Sequence, residues 1–286
     1  MGVERLKLRF WGTRGSIPSP GMSTVKYGGN TTCVELTLED NTLVIFDAGT
    51  GIRKLGDNIA QRNSNGTIHL FLTHSHWDHI QGFPFFIPAY SENVQIKIFG
   101  CTPAFNKLKE ILTNQMESSY FPVNFNELKA KITFQEISDR EHWIKNARFT
   151  FIRNNHPGVA YGFKVNQNGK TIIFITDNEL LPPTNSPSTS LEQFINFCRD
   201  SDVLIHDAQF FQEEMVETAG YGHSSYGHAF ELAVKSNVKH LIFFHHDPDR
   251  RDDEIEAIVE RYRKKRDNLK ISMKLDAARE GLSYVI

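Results

Sequence analysis

Short apolar blocks, some alternating with polar residues, fill the first third of the chain, and glycine, proline and asparagine separate them. Leu6–Phe10, Cys33–Leu38 and Thr42–Phe46 predict strands, Ile52–Gln61 a helix, and Ile68–Leu72 a buried strand. Thr102–Glu117 is amphipathic, with Phe105, Leu108, Ile111 and Leu112 at helical spacing. A second β series follows at Ile132–Phe134, Arg148–Arg153, Tyr161–Val165 and Thr171–Ile175, and Asn168-Gly169 is a hairpin signal between its last two members. After a Pro/Ser loop, Pro182–Ser190, come a helix at Leu191–Cys198, strands at Val203–Ile205 and Leu241–Phe244, and a charged helix at Asp252–Lys265. Two β-rich series, each followed by helices, predict an α/β fold of two packed sheets flanked by helices.

At 286 residues and 40% hydrophobic content the chain can bury a large core. Its net charge of −2 argues against a general polyanion binder and so against long nucleic acid as partner, while leaving room for a small phosphorylated ligand. No stretch approaches a membrane span, and Met1–Lys7 leads into a strand without an apolar leader. Cys33, Cys101 and Cys198 are widely spaced, which reads as reduced thiols in a cytoplasmic protein.

The chemistry concentrates at His74-Ser75-His76-Trp77-Asp78-His79, directly after the apolar run. Imidazole and carboxylate are the donors that zinc and similar divalent metals take. His74 and His76 are two apart on extended chain and point the same way, while Asp78 and His79 enter a helix and address a second point. One loop can therefore begin two metal sites. Further ligands are expected at strand ends: His156 after the Arg148–Arg153 strand, Asp177 after Thr171–Ile175, and His245 or His246 after Leu241–Phe244, with the strand-end position favouring His245. The long Gly-rich loop that contains Gly12-Thr13-Arg14-Gly15-Ser16 and Lys26-Tyr27-Gly28-Gly29-Asn30-Thr31 is a further functional candidate, with Arg14 and Lys26 as local positive charges.

Thr73-His74-Ser75-His76-Trp77-Asp78-His79, followed in order by His156, Asp177 and His245, resembles the metallo-β-lactamase superfamily over nearly the whole chain, and Asp47-Ala48-Gly49-Thr50-Gly51 resembles its early aspartate turn. The resemblance implies one hydrolase domain over residues 1–286, an αββα sandwich with two divalent metals at one rim, zinc by default and manganese as an alternative. It also implies that His74, His76 and His156 hold one metal and Asp78, His79 and His245 the other, with Asp177 bridging. Two such metals lower the pKa of a water and polarise an electrophile, so the reaction class is hydrolysis.

Two more segments narrow the bond. Leu204-Ile205-His206-Asp207-Ala208-Gln209 and Tyr221-Gly222-His223-Ser224-Ser225 resemble the His-Glu-Ala-Thr and His-Ser-Thr segments of ribonuclease Z and its phosphodiesterase relatives, with Asp207, Gln209 and Ser225 replacing Glu, Thr and Thr. A histidine oriented by a carboxylate suits a phosphodiester, because it can protonate the leaving alkoxide. The resemblance thus makes His223 and Asp207 catalytic together with Asp78. Ribonuclease Z carries a long arm for transfer RNA between the ligands that correspond to His156 and Asp177, where this sequence has only a short hairpin. The Gly-Thr-Arg-Gly-Ser and Lys-Tyr-Gly-Gly-Asn-Thr segments further resemble compact cyclic-nucleotide phosphodiesterases of the anti-Pycsar type. That resemblance implies a small cyclic nucleotide as substrate, cyclic pyrimidine monophosphates included, and a homodimer as the active unit. A ribonuclease Z-like nuclease, another small-phosphodiester hydrolase and a protein that binds a nucleotide without cleaving it are the competing expectations.

Overall fold

The blocks at Leu6–Phe10, Cys33–Leu38, Thr42–Phe46 and Ile68–Leu72 form strands, and Ile52–Gln61 lies in a helix. A computed structural model describes residues 5–62, 66–101, 105–137 and 141–286. In chain order the elements are β1 (Lys7–Gly12), β2 (Cys33–Thr37), β3 (Leu43–Phe46), α1 (Gly51–Gln61), β4 (Gly66–Phe71), α2 (Trp77–Ile80), β5 (Val94–Cys101), α3 (Phe105–Asn114), β6 (Lys131–Ile137), β7 (Glu141–Ile144), β8 (Ala147–Arg153), β9 (Tyr161–Gln167), β10 (Lys170–Ile175), α4 (Leu191–Cys198), β11 (Val203–Asp207), α5 (Met215–Thr218), α6 (Tyr226–Lys235), β12 (His240–Phe244), α7 (Asp252–Asn268), β13 (Lys274–Ala277) and β14 (Ser283–Val285). The opening Met1–Glu4 and Thr102, where the amphipathic pattern starts, lie outside the described residues.

The result is an α/β architecture of two mixed seven-stranded sheets flanked by helices, the metallo-β-lactamase fold. The chain divides into two compact units, one of Met1–Pro18, Gly28–Ser138 and Arg279–Ile286, the other of Ser19–Tyr27 and Asp139–Ala278.

In the first unit the strand order is β14-β1-β2-β3-β4-β5-β6. β1, β2 and β3 pair antiparallel, and β3, β4, β5 and β6 run parallel. Helix α1 buries Ile52, Leu55 and Ile59, and α3 buries Leu108 and Leu112, in one apolar cluster with Ile45, Leu70 and Ile98 of the sheet. β5 alternates Val94, Ile96 and Ile98 with Gln95 and Lys97, the period-two signal of a strand. β14 has only three residues and carries too little pattern to be predicted.

In the second unit the order is β13-β12-β11-β10-β9-β8-β7, with β7 to β10 antiparallel and β10 to β13 parallel. β11 and β12 are buried at every residue, which is why their stretches Val203–Ile205 and Leu241–Phe244 are apolar without alternation. Helices α4, α6 and α7 contribute Phe194, Leu232 and Ile258 to their shared cluster. Ser190 caps α4 by accepting from the Gln193 N–H, and Ser225 caps α6 by accepting from the His228 N–H at 3.1 Å, each worth about 1 kcal/mol. Residues Ser19–Tyr27 belong to this unit through α7: the Lys26 and Tyr27 N–H groups donate to the Asp252 carboxylate at 2.7 and 3.1 Å, and the Lys26 ammonium pairs with Glu256. Both sheets present the carboxyl ends of parallel strands, where α/β folds place their ligands. Among the described residues, no helix is long and apolar enough to cross a membrane.

Candidate active site

In the first unit, β3 and β4 are parallel neighbours and end side by side. Asp47 follows β3 at a positive φ of 62°, a conformation that costs energy for a residue with a side chain and concentrates at functional sites. Its carboxylate accepts from the Thr73 N–H at 2.8 Å, from the Thr73 hydroxyl at 3.0 Å, and from His79 Nδ1 at 2.8 Å. Burial pushes the Asp47 carboxyl up, and His79 and Thr73 pull it back down. Because the Thr73 hydroxyl gives its proton to Asp47, it accepts from His74 Nδ1 at 3.1 Å. Both histidines therefore carry hydrogen on Nδ1, which makes the Nε2 lone pair the one a metal could take.

His79 Nε2 lies 3.0 Å from Asp78 Oδ2, and that oxygen also accepts the Ser16 N–H at 2.9 Å. The Gly-rich opening loop thus holds a predicted ligand through its backbone. Its Arg14 is fully buried rather than solvated, donating from Nε to the Gly28 carbonyl at 2.8 Å. His76 is brought to His74, ring centroids 4.4 Å apart.

In the second unit, β10, β11 and β12 deliver Asp177, Asp207 and His245 from adjacent strand ends. Asp177 and His245 also have positive φ, 49° and 60°. His245 Nε2 lies 3.2 Å from Asp177 Oδ1, with Nδ1 3.2 Å from Gln209 Oε1. His156 Nε2 lies 3.9 Å from Asp177 Oδ2, and its Nδ1 donates to the Gly222 carbonyl at 3.0 Å. His246 turns the other way, Nε2 donating to the Ala278 carbonyl at 2.9 Å, so His245 alone of that pair meets Asp177.

The donor chemistry fits a metal. His79, His245 and His156 each anchor Nδ1–H on an oxygen and aim an Nε2 lone pair at a carboxylate oxygen. Two electron-rich atoms held so close repel unless a cation lies between them, and imidazole with carboxylate is a donor set for zinc or manganese.

His223 is held differently. Its Nδ1 donates to Asp207 Oδ2 at 2.7 Å, while Asp207 Oδ1 accepts the Ser224 N–H at 3.0 Å. The His223 ring stacks on His245 at 5.0 Å and meets His156 edge-on at 5.3 Å. Asp207, His223 and His245 are drawn together as one group.

Glu179, and the part that Gly222 plays in holding His156, are not marked by any motif in the sequence. Glu179 accepts from the N–H groups of Gly220, at 3.0 Å, and Gly222, at 3.2 Å, and so pins the turn whose carbonyl orients His156. Burial pushes its carboxyl up, and those two bonds oppose the rise. A glutamate two residues beyond a predicted ligand, just before Leu180-Leu181, was the available signal.

Residues 42–246 match the family model of the beta-lactamase superfamily domain. The chain belongs to the metallo-β-lactamase superfamily. A superfamily relative, the ribonuclease Z of Picrophilus torridus, is 26% identical over 299 aligned positions, covering 85% of this chain and 86% of that protein. Unliganded yeast PDE1 superposes with a TM-score of 0.70 at 16% identity, covering 99% of both chains. The metallo-beta-lactamase fold protein YhfI from Bacillus subtilis superposes at 0.69, also at 16% identity, covering 99% of this chain and all of that one. Both superpositions speak for the superfamily fold.

Proposed function

We propose that this chain is a metal-dependent phosphodiester hydrolase with two divalent metals, and that its substrate is a small cyclic nucleotide, opened to a linear monophosphate. His74, His76 and His156 would hold one metal, Asp78, His79 and His245 the other, and Asp177 would serve both. Bound there, the metals supply Lewis acidity and a nucleophile at neutral pH. The protein's own part is orientation and proton delivery. Asp47, Thr73 and the Gly222 carbonyl fix the tautomers of His79, His74 and His156, and Asp207 fixes that of His223.

The observation that carries the reading is the 2.7 Å bond between Asp207 and His223. A carboxylate on Nδ1 favours the imidazolium, whose Nε2 proton then goes to the leaving alkoxide. Acyl-bond hydrolysis at two metals has less need of such a donor than a phosphodiester does.

A ribonuclease Z-like nuclease is the second reading, favoured by the name of the Picrophilus relative. Against it, the stretch between His156 and Asp177 is taken up by the β9–β10 hairpin, whose two-residue turn is Asn168-Gly169. The net charge of −2 also suits a small ligand better than transfer RNA. We further propose that the protein works as a homodimer in the cytoplasm.

The test is a substrate panel with metal-replete protein: purine and pyrimidine cyclic mononucleotides, single-stranded RNA and precursor transfer RNA. Conversion of cyclic nucleotides to monophosphates, abolished by Asp78→Ala, is expected. Cleavage of the RNAs alone would transfer the assignment to the nuclease, and recovery of every cyclic nucleotide intact would refute the cyclic-nucleotide assignment.

A further inference from the structure

A cavity of about 320 Å³ opens beside His156 in the second unit. Its walls include Pro157, Pro182 and Pro187, with the Ser186 side and Glu179 completing it. The volume lies at the small end of the range for ligand pockets, which suits one ring system rather than a run of nucleotides. Proline rings are rigid, apolar and flat enough to face a planar heterocycle without losing side-chain entropy. The lining contains no lysine or arginine among the described residues, and it does contain a carboxylate. A second phosphate is therefore disfavoured, and a neutral ring is favoured. The loop that builds the wall is fixed from behind. Asn155 donates to the Thr189 carbonyl at 2.9 Å and accepts the Thr189 N–H at 3.0 Å, and the Thr189 hydroxyl donates to the Arg153 carbonyl at 2.6 Å.

We propose that this cavity is the subsite for the heterocyclic base of a nucleotide whose phosphodiester is handled at His156. The proposal rests on the phosphodiesterase reading and deepens it, by making the base, and not only the cyclic phosphate, part of what is recognised. It also separates two substrates that the metal ligands alone treat alike: a nucleoside cyclic phosphate and the same ribose cyclic phosphate without a base.

The experiment compares those two substrates on the wild type and on Ser186→Trp, which fills the cavity from an exposed wall position. The Ser186 contact that fixes the loop is its N–H, donated to the Thr184 hydroxyl at 3.2 Å, and the substitution keeps it. The wild type is expected to show a KM at least about tenfold lower for the base-bearing substrate, the value of roughly one well-buried apolar group. In Ser186→Trp that advantage should vanish through KM. Free nucleoside binding, followed by ligand-observed NMR on protein stripped of metal, should be lost in the same variant. An advantage that persists in Ser186→Trp, or equal KM values in the wild type, would overturn the subsite. Absence of turnover of both substrates, with nucleoside binding still lost in the variant, would sink the phosphodiesterase reading and leave the base site standing.

Discussion

Asp207 grips His223 with one carboxylate oxygen, 2.7 Å from Nδ1, and the neighbouring Ser224 N–H with the other, at 3.0 Å. The histidine is thus fixed in tautomer and its backbone is fixed in place by the same group. Glutamate stands at this position in the segment that Asp207 resembles, and here the shorter side chain still reaches.

His223→Ala should lower kcat on a phosphodiester by about 10²–10⁴-fold, the contribution of a general acid, with a much smaller change in KM. Asp207→Asn should give part of that loss, since the amide can still meet the Ser224 N–H but no longer favours the imidazolium. Steady-state kinetics of both variants check this; a large KM effect with kcat intact would assign the pair to binding.

Gly222→Ala tests the orientation of His156. Gly222 has φ near +88°, and a Cβ there would come within 2.3 Å of His156 Nδ1. The variant should stay folded by circular dichroism and lose metal affinity by about 10–100-fold, as variants that disturb the partner of a metal-bound histidine do. Metal content after dialysis against a weak chelator reads the effect, and wild-type retention would contradict it.

Asp47 makes a separable prediction in the first unit. Asp47→Ala removes the acceptor for His79 Nδ1 and for the Thr73 N–H and hydroxyl, all buried. Stability of the metal-free protein should fall by about 1–3 kcal/mol for the donors left unpaired. Metal affinity should drop about 10–100-fold besides. Urea titration and metal titration measure the two effects independently.

Burial pushes the Cys198 thiol up to about 12 and raises the Cys33 thiol well above its ordinary value. A group whose pKa is raised stays protonated below it, so neither cysteine supplies thiolate near pH 8. Alkylation at pH 8 followed by peptide mapping should leave both unmodified in the native protein and modify both after unfolding. Rapid native labelling of either would contradict the packing of its unit.

The residues that the sequence revealed were those whose meaning is local. His74 to His79 announced themselves by donor type and spacing, and Asp177 and His245 by ending apolar strands. Both of the latter carry positive φ, which no sequence pattern displayed. What stayed hidden was the machinery that orients the histidines, because it acts across the chain. Glu179 reaches Gly222 over 43 positions, and Gly222 reaches His156 over 66. Strand-end position favours His245 over His246, and the backbone turn there sends His246 to the Ala278 carbonyl instead. Among strands, β5 carried an alternating pattern that was legible, whereas β14 at three residues was not.

The most direct test of the account is a metal titration of the stripped protein, followed by hydrolysis of bis(p-nitrophenyl) phosphate as Zn²⁺ or Mn²⁺ is added. Activity should be absent without metal, rise to a plateau at two equivalents per chain, and fail to appear in Asp177→Ala. Full activity without metal, a plateau at one equivalent, or an active Asp177→Ala would contradict a two-metal phosphodiesterase.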